Sequence, residues 1–323
     1  MTTENQVDRD QVAMRLTKRR RPGEMAIRAF LYLCGALTIA TTIGILYELG
    51  TESFLFFQED EVGLVEFLTD TFWQPQVGRF GIAPLILGTM YISAIAMVVA
   101  VPLGLLAAIY LAEYSSERVR GFFKPVLEIL VGVPTVVFGF FALTFMTPLL
   151  RAIFGTSVVG FFNVASAGIV VGLLIIPLIS SLAEDALRAV PDSLRQAAYA
   201  LGASKFEVST RIVVPAALSG IAAGFVVAMS RAVGETMVVT LAAGASPRNF
   251  EPGVDPLFGY ILNPFEGAQA MTGYVAITAN GDLSYNTIDY NSIFAIGLTL
   301  FIITFALNSL SRRFVKRFRQ EYE

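Results

Sequence analysis

Six apolar segments of the chain are long enough to cross a lipid bilayer, which takes about 20 residues of α-helix. Hydrophobic residues make up 55% of the 323 residues and charged residues only 15%, whereas a soluble domain has about 25% charged residues. Because lipid offers no hydrogen bonds to an open backbone, such segments must be helical. The sequence therefore predicts an all-α, polytopic membrane protein with six transmembrane helices, at residues 26–49, 82–111, 126–154, 167–182, 212–243 and 292–310.

Basic residues alternate with the segments that connect these spans. They cluster before the first span, between the second and third, between the fourth and fifth, and after the sixth, whereas the other connections hold few. Because cations favour the cytoplasmic side, both termini are predicted to be cytoplasmic. The predicted parts are a cytoplasmic arm (1–25), an outer acidic loop (50–81), a core of five spans (82–311) with an outer loop (245–291), and a cytoplasmic basic tail (312–323).

The residue types that are missing narrow the possible functions. The chain has no histidine, and its only cysteine is Cys34 in an apolar run. This removes histidine bases, histidine metal ligands and Ser-His-Asp chemistry, and no disulfide can form within the chain. A net charge of −3 argues against nucleic acid as the main partner. The chain also lacks a glycine-rich Lys-Ser/Thr phosphate loop, so we expect it to hold no cofactor and not to bind or hydrolyse ATP.

The polar segment between the fourth and fifth spans carries local signals for two short helices joined by a sharp turn. Pro191 suits a first helical turn, and Ser193 and Gln196 have the spacing of a capping box. Gly202 is placed to end the helix in a left-handed conformation, and a second short helix can start from Ser204. This shape suits docking to a soluble partner, while the alternative is an ordinary amphipathic interfacial loop.

The same segment resembles the coupling-loop signature of importer-type ABC permeases, which is Glu-Ala-Ala, three residues, Gly, nine residues and Ile-x-Leu-Pro. Here the pattern begins at Gln196 and ends at Pro215, with the spacing kept throughout. Gln196 and Val214 depart from the signature, although the glutamine keeps the capping role. The resemblance implies that the coupling segment, residues 184–211, docks on a partner ATPase, with the contact residues Gln196, Ala197, Ala198, Gly202, Ala203, Ser204 and Pro215.

Arg231 and Glu235 lie near the middle of the predicted fifth span. A charge at that depth costs several kcal/mol and usually marks a functional site. Their four-residue spacing puts both on one helix face, so the alternative is a self-neutralising pair that locks helices together. The arginine fork matches phosphate, and Glu235 can orient it. Neutral donors for an anion pathway are offered by Thr135, Ser230, Thr236 and Thr240.

The run Arg231-Ala-Val-Gly-Glu235-Thr-Met resembles the fifth-helix motif Arg-Ala-x-Gly-Glu-Thr of phosphate-specific ABC permeases, and the Val-Val-Thr that follows resembles their C-type subunit. The run Gly132-Val-Pro-Thr135-Val-Val-Phe-Gly139 is similar to the Gly-x-Pro-Ser-Val-Val-x-Gly of that family, with threonine in place of serine. The resemblance extends from the second span to the end of the chain and implies a type I ABC importer permease fold.

That resemblance also implies the assembly. The chain would be one permease subunit of an inner-membrane phosphate importer, paired with a paralogous permease in a heterodimer. Two ATP-binding subunits would hold ATP and magnesium, and an extracytoplasmic phosphate-binding protein would deliver the substrate. Three alternatives stay open: a permease of the same class for sulfate or molybdate, a secondary transporter, for which no clear inverted repeat of the spans is visible, and a membrane enzyme.

Overall fold

A computed structural model of the chain describes residues 22–59, 62–250, 263–281, 284 and 287–318. The rest of the predicted N-terminal arm, parts of both outer loops and the end of the basic tail lie outside the described residues. In chain order the described helices are α1 (Pro22–Phe56), α2 (Leu64–Thr69), α3 (Ala83–Ile109), α4 (Glu117–Val131), α5 (Thr135–Phe141), α6 (Thr147–Phe154), α7 (Val164–Arg188), α8 (Asp192–Ala200), α9 (Lys205–Val208), α10 (Val214–Ala216), α11 (Leu218–Val233), α12 (Met237–Ala242), α13 (Met271–Ala279) and α14 (Ile288–Phe318).

The predicted all-α class and six spans are confirmed, although the span boundaries differ from the prediction. Within the described part of the chain, five helical segments are long and apolar enough to cross a membrane, and a bent pair of segments makes a sixth. The bent pair joins Lys205–Ala216 to Leu218–Val233 at an angle of 69°. Short π-helical turns extend or join helices at Tyr110–Tyr114, Ala142–Met146 and Ser209–Val213.

The chain divides into two units, Met1–Gly50 and Thr51–Glu323. The described part of the first unit is the first part of α1, whose apolar side chains are exposed along the helix, as expected of a helix that faces lipid. The second unit holds the remaining spans and is built around α3, α7 and α11, which pack on one another.

Small residues let these helices approach closely, as is usual in membranes. A Cβ added at Gly172 of α7 would lie 2.8 Å from the carbonyl oxygen of Ala96 in α3. At Gly220 of α11 an added Cβ would lie 2.6 Å from the Cβ of Ala186 in α7. A larger residue at either position would therefore push two spans apart.

The predicted start of the third span, residue 126, is wrong. The apolar run is divided at Gly132, where α4 ends, and α5 begins only at Thr135 after the capping residue Pro134. Proline disfavours the helical conformation for the residue before it and lacks the backbone N–H, which suits the start of a helix. The segment before the break is thus a separate amphipathic helix, and the span is 20 residues long, Thr135–Phe154.

An aromatic cluster orders the outer segment between the first two spans. The strands β1 (Trp73–Gln74) and β2 (Arg79–Phe80) form an antiparallel hairpin in which Trp73 pairs with Phe80. The rings of Phe56, Phe67, Trp73, Phe80 and Tyr274 are buried and meet edge to face, an arrangement that stabilises aromatic pairs. This segment is therefore a packed cap on α3, α13 and α14.

The connections between spans meet in two separate groups. The backbone N–H of Phe250, after the fifth span, donates to the carbonyl of Thr71, before the second, at 3.1 Å. The N–H of Gly160, between the third and fourth spans, donates to the carbonyl of Phe265 at 2.8 Å. The three connections with few cations, which follow the first, third and fifth spans, thus lie together. The two connections with many cations, which follow the second and fourth spans, meet through contacts of the coupling segment.

Candidate functional site

The coupling segment forms two helices with a sharp turn between them, as predicted. Helix α8 ends at Ala200 with Leu201 as its capping residue, and Gly202 follows with φ of +83°. The Gly202 N–H donates to the carbonyl of Tyr199 at 2.9 Å, and the Ala203 N–H donates to that of Ala198 at 3.2 Å. These two bonds form a Schellman motif, which requires the left-handed conformation that glycine adopts without strain.

The capping box predicted for the first of these helices is wrong. Helix α8 starts after Pro191, and no side chain caps it. The box lies instead at the start of α9, where the Ser204 hydroxyl accepts from the Glu207 N–H at 3.3 Å and the Glu207 carboxylate accepts from the Ser204 N–H at 2.9 Å. The sequence Ser204-x-x-Glu207 carries the usual signature, so this signal was available from the sequence.

The turn of the coupling segment is exposed and partly apolar. Leu201 is 90% exposed and Phe206 is 67% exposed, although both lie in an otherwise polar segment. Large exposed apolar side chains on both sides of one turn can contribute to a surface that binds a partner. The contact residues predicted from the sequence did not include these two. Their position on either side of Gly202 in the sequence could have indicated them as contact residues.

The predicted contact residues divide by burial. Gln196, Ala197, Gly202, Ser204 and Pro215 are exposed, as a docking surface requires. Ala203 is half-buried, and Ala198 is buried in a cluster that includes Val208, Val213 and Leu187. The Ala198 side chain thus packs the segment onto the inner ends of the spans, while the contact roles of the whole set stay a prediction.

Arg195 attaches the coupling segment to two spans. Its guanidinium donates to the backbone carbonyls of Leu187 at 2.9 Å and Val190 at 2.6 Å, at the end of α7. The same group forms an ion pair of 3.0 Å with Glu113, in the π-helical turn after α3. Both side chains are largely buried, at 15% and 5% exposure, so the pair is shielded from water. A second ion pair, with Asp192, is exposed on the aspartate side.

A further ion cluster attaches α4 to the end of α7. The buried carboxylate of Glu184 forms ion pairs of 2.7 Å with Arg120 and with Lys124, and Lys124 also contacts Asp185 at 2.7 Å. Burial is the largest single influence and lowers the pKa of Lys124, but the hydrogen bonds to Asp185 and Glu184 and the negative charges of these two residues together outweigh it and raise the pKa above its ordinary value. Lys124 is therefore charged at neutral pH, and its ion pairs hold the amphipathic helix α4 to the end of α7.

The prediction that Arg231 and Glu235 lie on one face of a helix is wrong. Helix α11 ends at Val233 with Gly234 as its cap, so Arg231 lies in the last turn and Glu235 lies beyond the helix. The arginine is exposed and the glutamate is buried. Among the described residues, no ion pair joins them. The Glu235 carboxylate instead accepts from the Val238 N–H at 3.4 Å, at the start of α12.

The predicted hydroxyl donors lie in different surroundings. Ser230 donates to the Asn308 side chain in α14 at 2.7 Å, and Thr240 donates to the backbone carbonyl of Thr236 at 2.7 Å. Thr135 is half-buried at the first turn of α5. Helix α5 packs closely on α12, which brings the helices of Thr135 and Thr240 together. Ser230 is turned toward the last span, and an anion pathway along these residues stays a prediction.

The chain is similar to transport proteins across most of its length. Residues 100–320 match a family described as "Binding-protein-dependent transport system inner membrane component". The chain is 30% identical over 291 residues to the probable ABC transporter permease protein YqgH of Bacillus subtilis, with 90% of each protein covered. It is 30% identical over 268 residues to the phosphate transport system permease protein PstC of Mesorhizobium japonicum, with 78% of each protein covered. With PstC of Xylella fastidiosa the identity is 32% over 271 residues.

Solved structures show a similar fold. A bacterial ABC transporter involved in the import of the acidic polysaccharide alginate matches with a TM-score of 0.62 and 16% identity, over 92% of this chain and 99% of that chain. The bacterial alginate transporter in complex with a periplasmic protein matches with a TM-score of 0.61 and 16% identity, over 94% of this chain and 100% of that chain. The predicted ABC importer permease fold is thereby confirmed.

Proposed function

Because the chain belongs to the family of inner-membrane components of binding-protein-dependent transport systems, we propose that it is the permease subunit of an ATP-driven importer of inorganic phosphate. The assignment of phosphate as the substrate rests on the relatives: proteins named as phosphate transport permeases match 78% of the chain at 30% and 32% identity. The exposed guanidinium of Arg231 at the end of an apolar helix is consistent with an oxyanion, since its planar fork of donors matches phosphate.

We assign ATP hydrolysis to a separate partner subunit that docks on the coupling segment. The exposed Leu201 and Phe206 beside Gly202 support this role, because they offer an apolar contact surface on a rigid turn. Arg195 supports it too, since it ties this turn to the ends of α3 and α7. ATP and magnesium would bind in the partner, and closure of two such partners would move the spans between inward and outward access.

A paralogous permease subunit completes the proposed pathway. The Arg231 guanidinium is exposed in the single chain, and a charge facing hydrocarbon is costly. In the assembled importer this side chain therefore faces the partner permease or the substrate pathway between the two subunits. The extracytoplasmic phosphate-binding protein would deliver the anion to the side of the cap, and the termini and coupling segment would be cytoplasmic.

Uptake by the reconstituted complex tests the substrate. The chain is co-expressed with a permease and an ATPase of these families from the same organism, purified, and placed in liposomes with a phosphate-binding protein outside and ATP inside. We expect vanadate-sensitive uptake of radiolabelled phosphate that excess sulfate or molybdate does not displace. Preferential uptake of either of these anions would favour a related permease, and uptake without ATP would favour a secondary transporter.

A further inference from the structure

A polar cavity of about 520 Å³ lies in the cap on the side opposite the coupling segment. Its walls come from the β1–β2 hairpin, the segment after α12, helix α13 and the first turn of α14. Four of its lining residues carry side-chain amides, namely Gln74, Gln76, Asn249 and Gln269. The aromatic side chains of Trp73 and Tyr274 form another part of the wall. The predicted transport roles use none of these residues.

Asp289 gives this cavity its charge. It is the only Asp, Glu, Lys or Arg among the lining residues. Its Oδ1 atom is shielded from solvent and has no hydrogen-bond partner among the described residues. A buried carboxylate oxygen without a donor is destabilising by itself, so the site favours a ligand that brings a positively charged donor. The amide oxygens in the wall can also accept hydrogen bonds from such a donor.

We propose that this cavity receives a lysine or arginine side chain of the extracytoplasmic binding protein. The inference rests on the proposed function, because that function supplies a soluble protein at this face. Inorganic phosphate is a poor occupant, since the carboxylate would repel it. With a volume of about 520 Å³ the cavity has room for a long side chain, and it lies at the outer end of the last span, where a docking protein would approach. The ion pair would give the docking both orientation and specificity.

The substitution Asp289→Asn removes the charge and keeps the shape of the side chain. We measure ATPase activity of the complex in liposomes at increasing concentrations of the phosphate-binding protein. We expect the half-maximal concentration to rise about tenfold, as for the loss of one charge-assisted contact, with basal and maximal rates unchanged. The matched control is Glu66→Gln, which removes an exposed carboxylate of the cap outside the cavity, and we expect no change. Equal half-maximal concentrations for Asp289→Asn and wild type would overturn the proposal.

Two further measurements separate docking from folding. Ser246→Trp at the exposed rim reduces the room in the cavity and leaves Asp289 unsubstituted, and we expect the same rise in half-maximal concentration. A photoreactive residue at Gln76 should crosslink to a segment of the binding protein that contains lysine or arginine. If Asp289→Asn lowers the yield of the complex, the Ser246→Trp variant and the Gln76 crosslink test the docking site instead. Normal docking of Ser246→Trp would overturn the proposal. Wild-type complex that no binding protein stimulates would instead contradict the proposed function.

Discussion

Arg231 places a permanent positive charge at an exposed position of an apolar span. Arginine is not deprotonated in proteins, and a charge that faces hydrocarbon costs several kcal/mol. Glu235 does not compensate this charge within the chain, because α11 ends at Val233 between the two residues. Since no ion pair with Arg231 is found among the described residues, we propose that the transported substrate or a group of the partner permease compensates this charge.

We expect Arg231→Gln to abolish phosphate uptake while the complex still assembles, because glutamine lacks the charge and the donor fork. Arg231→Lys should also be severely impaired, since a point charge does not reproduce bidentate geometry. Glu235→Gln should be milder, because an amide oxygen can still accept from the Val238 N–H. Phosphate uptake and yield of extracted complex are measured side by side for each variant.

An exchange of the two charges tests the alternative of a structural lock. If Arg231 and Glu235 only neutralise each other, the double variant Arg231→Glu, Glu235→Arg should restore yield and uptake. Because the two side chains do not form an ion pair in the structure, we expect the exchange to fail. Restored uptake would remove a direct anion role for Arg231.

Arg195, in contrast, has its partners within the chain: two backbone carbonyls near the end of α7 and the Glu113 carboxylate. We expect Arg195→Gln to leave Glu113 as a buried carboxylate without its arginine, a change that costs on the order of 3 kcal/mol. Transport per ATP hydrolysed should then fall more than ATPase activity does. Asp192→Asn is the matched control, since Asp192 is 84% exposed and its loss leaves the two carbonyls and Glu113 in place. Equal coupling ratios for both variants would contradict the anchoring role.

At the scale of helices, the coupling segment depends on one backbone conformation. Gly202 holds φ of +83° between α8 and α9, and an added Cβ would meet no atom within 4 Å. The penalty of a larger residue is therefore backbone strain and not a clash. The predicted turn was readable from the sequence because its signals are local: a glycine, a run of good helix formers and a fixed spacing.

We expect Gly202→Val to uncouple ATP hydrolysis from transport without unfolding the spans. A β-branched residue in the left-handed region costs about 1–3 kcal/mol, and relief of this strain would change the angle between α8 and α9. Gly202→Asn is the matched control, because asparagine tolerates this conformation, and it should retain most coupling. Phosphate transported per ATP hydrolysed is measured for both, and normal coupling in the valine variant would contradict the role of the turn.

Helix breaks were harder to predict than helices. Hydropathy found the six spans because burial in lipid needs about 20 apolar residues in a row. It joined α4 to α5 and α11 to α12 because Gly132, Pro134 and Gly234 scarcely change the average polarity of a long window. The contact between Glu113 and Arg195 could not be predicted at all, since the two residues are 82 positions apart and only packing of α3 against α7 brings them together.

At the scale of the whole molecule, two independent observations give the chain the same two sides. Cations are concentrated in alternate connections along the sequence. In the structure, the cation-poor connections contact one another near the cap. The cation-rich connections meet where Arg195 pairs with Glu113 and where the Lys205 ammonium lies 5.1 Å from the ring centre of Tyr114. The distribution of cations and the contacts between connections thus give the same two groups, and the positive-inside rule predicts which group is cytoplasmic.

Single cysteines test this orientation in a Cys34→Ser background, which removes the only native thiol. We expect a cysteine at Gln76, in the exposed hairpin of the cap, to react with an impermeant thiol reagent in intact cells. In cells that express the chain without its partner ATPase, a cysteine at Ser204, exposed on the coupling segment, should react only after the membrane is permeabilised, because the bilayer separates it from the reagent. The positive-inside argument would be contradicted by labelling of the Ser204 site in intact cells together with protection of the Gln76 site. Docking of an ATPase on the coupling segment would then be impossible as well, since ATP is available only inside the cell.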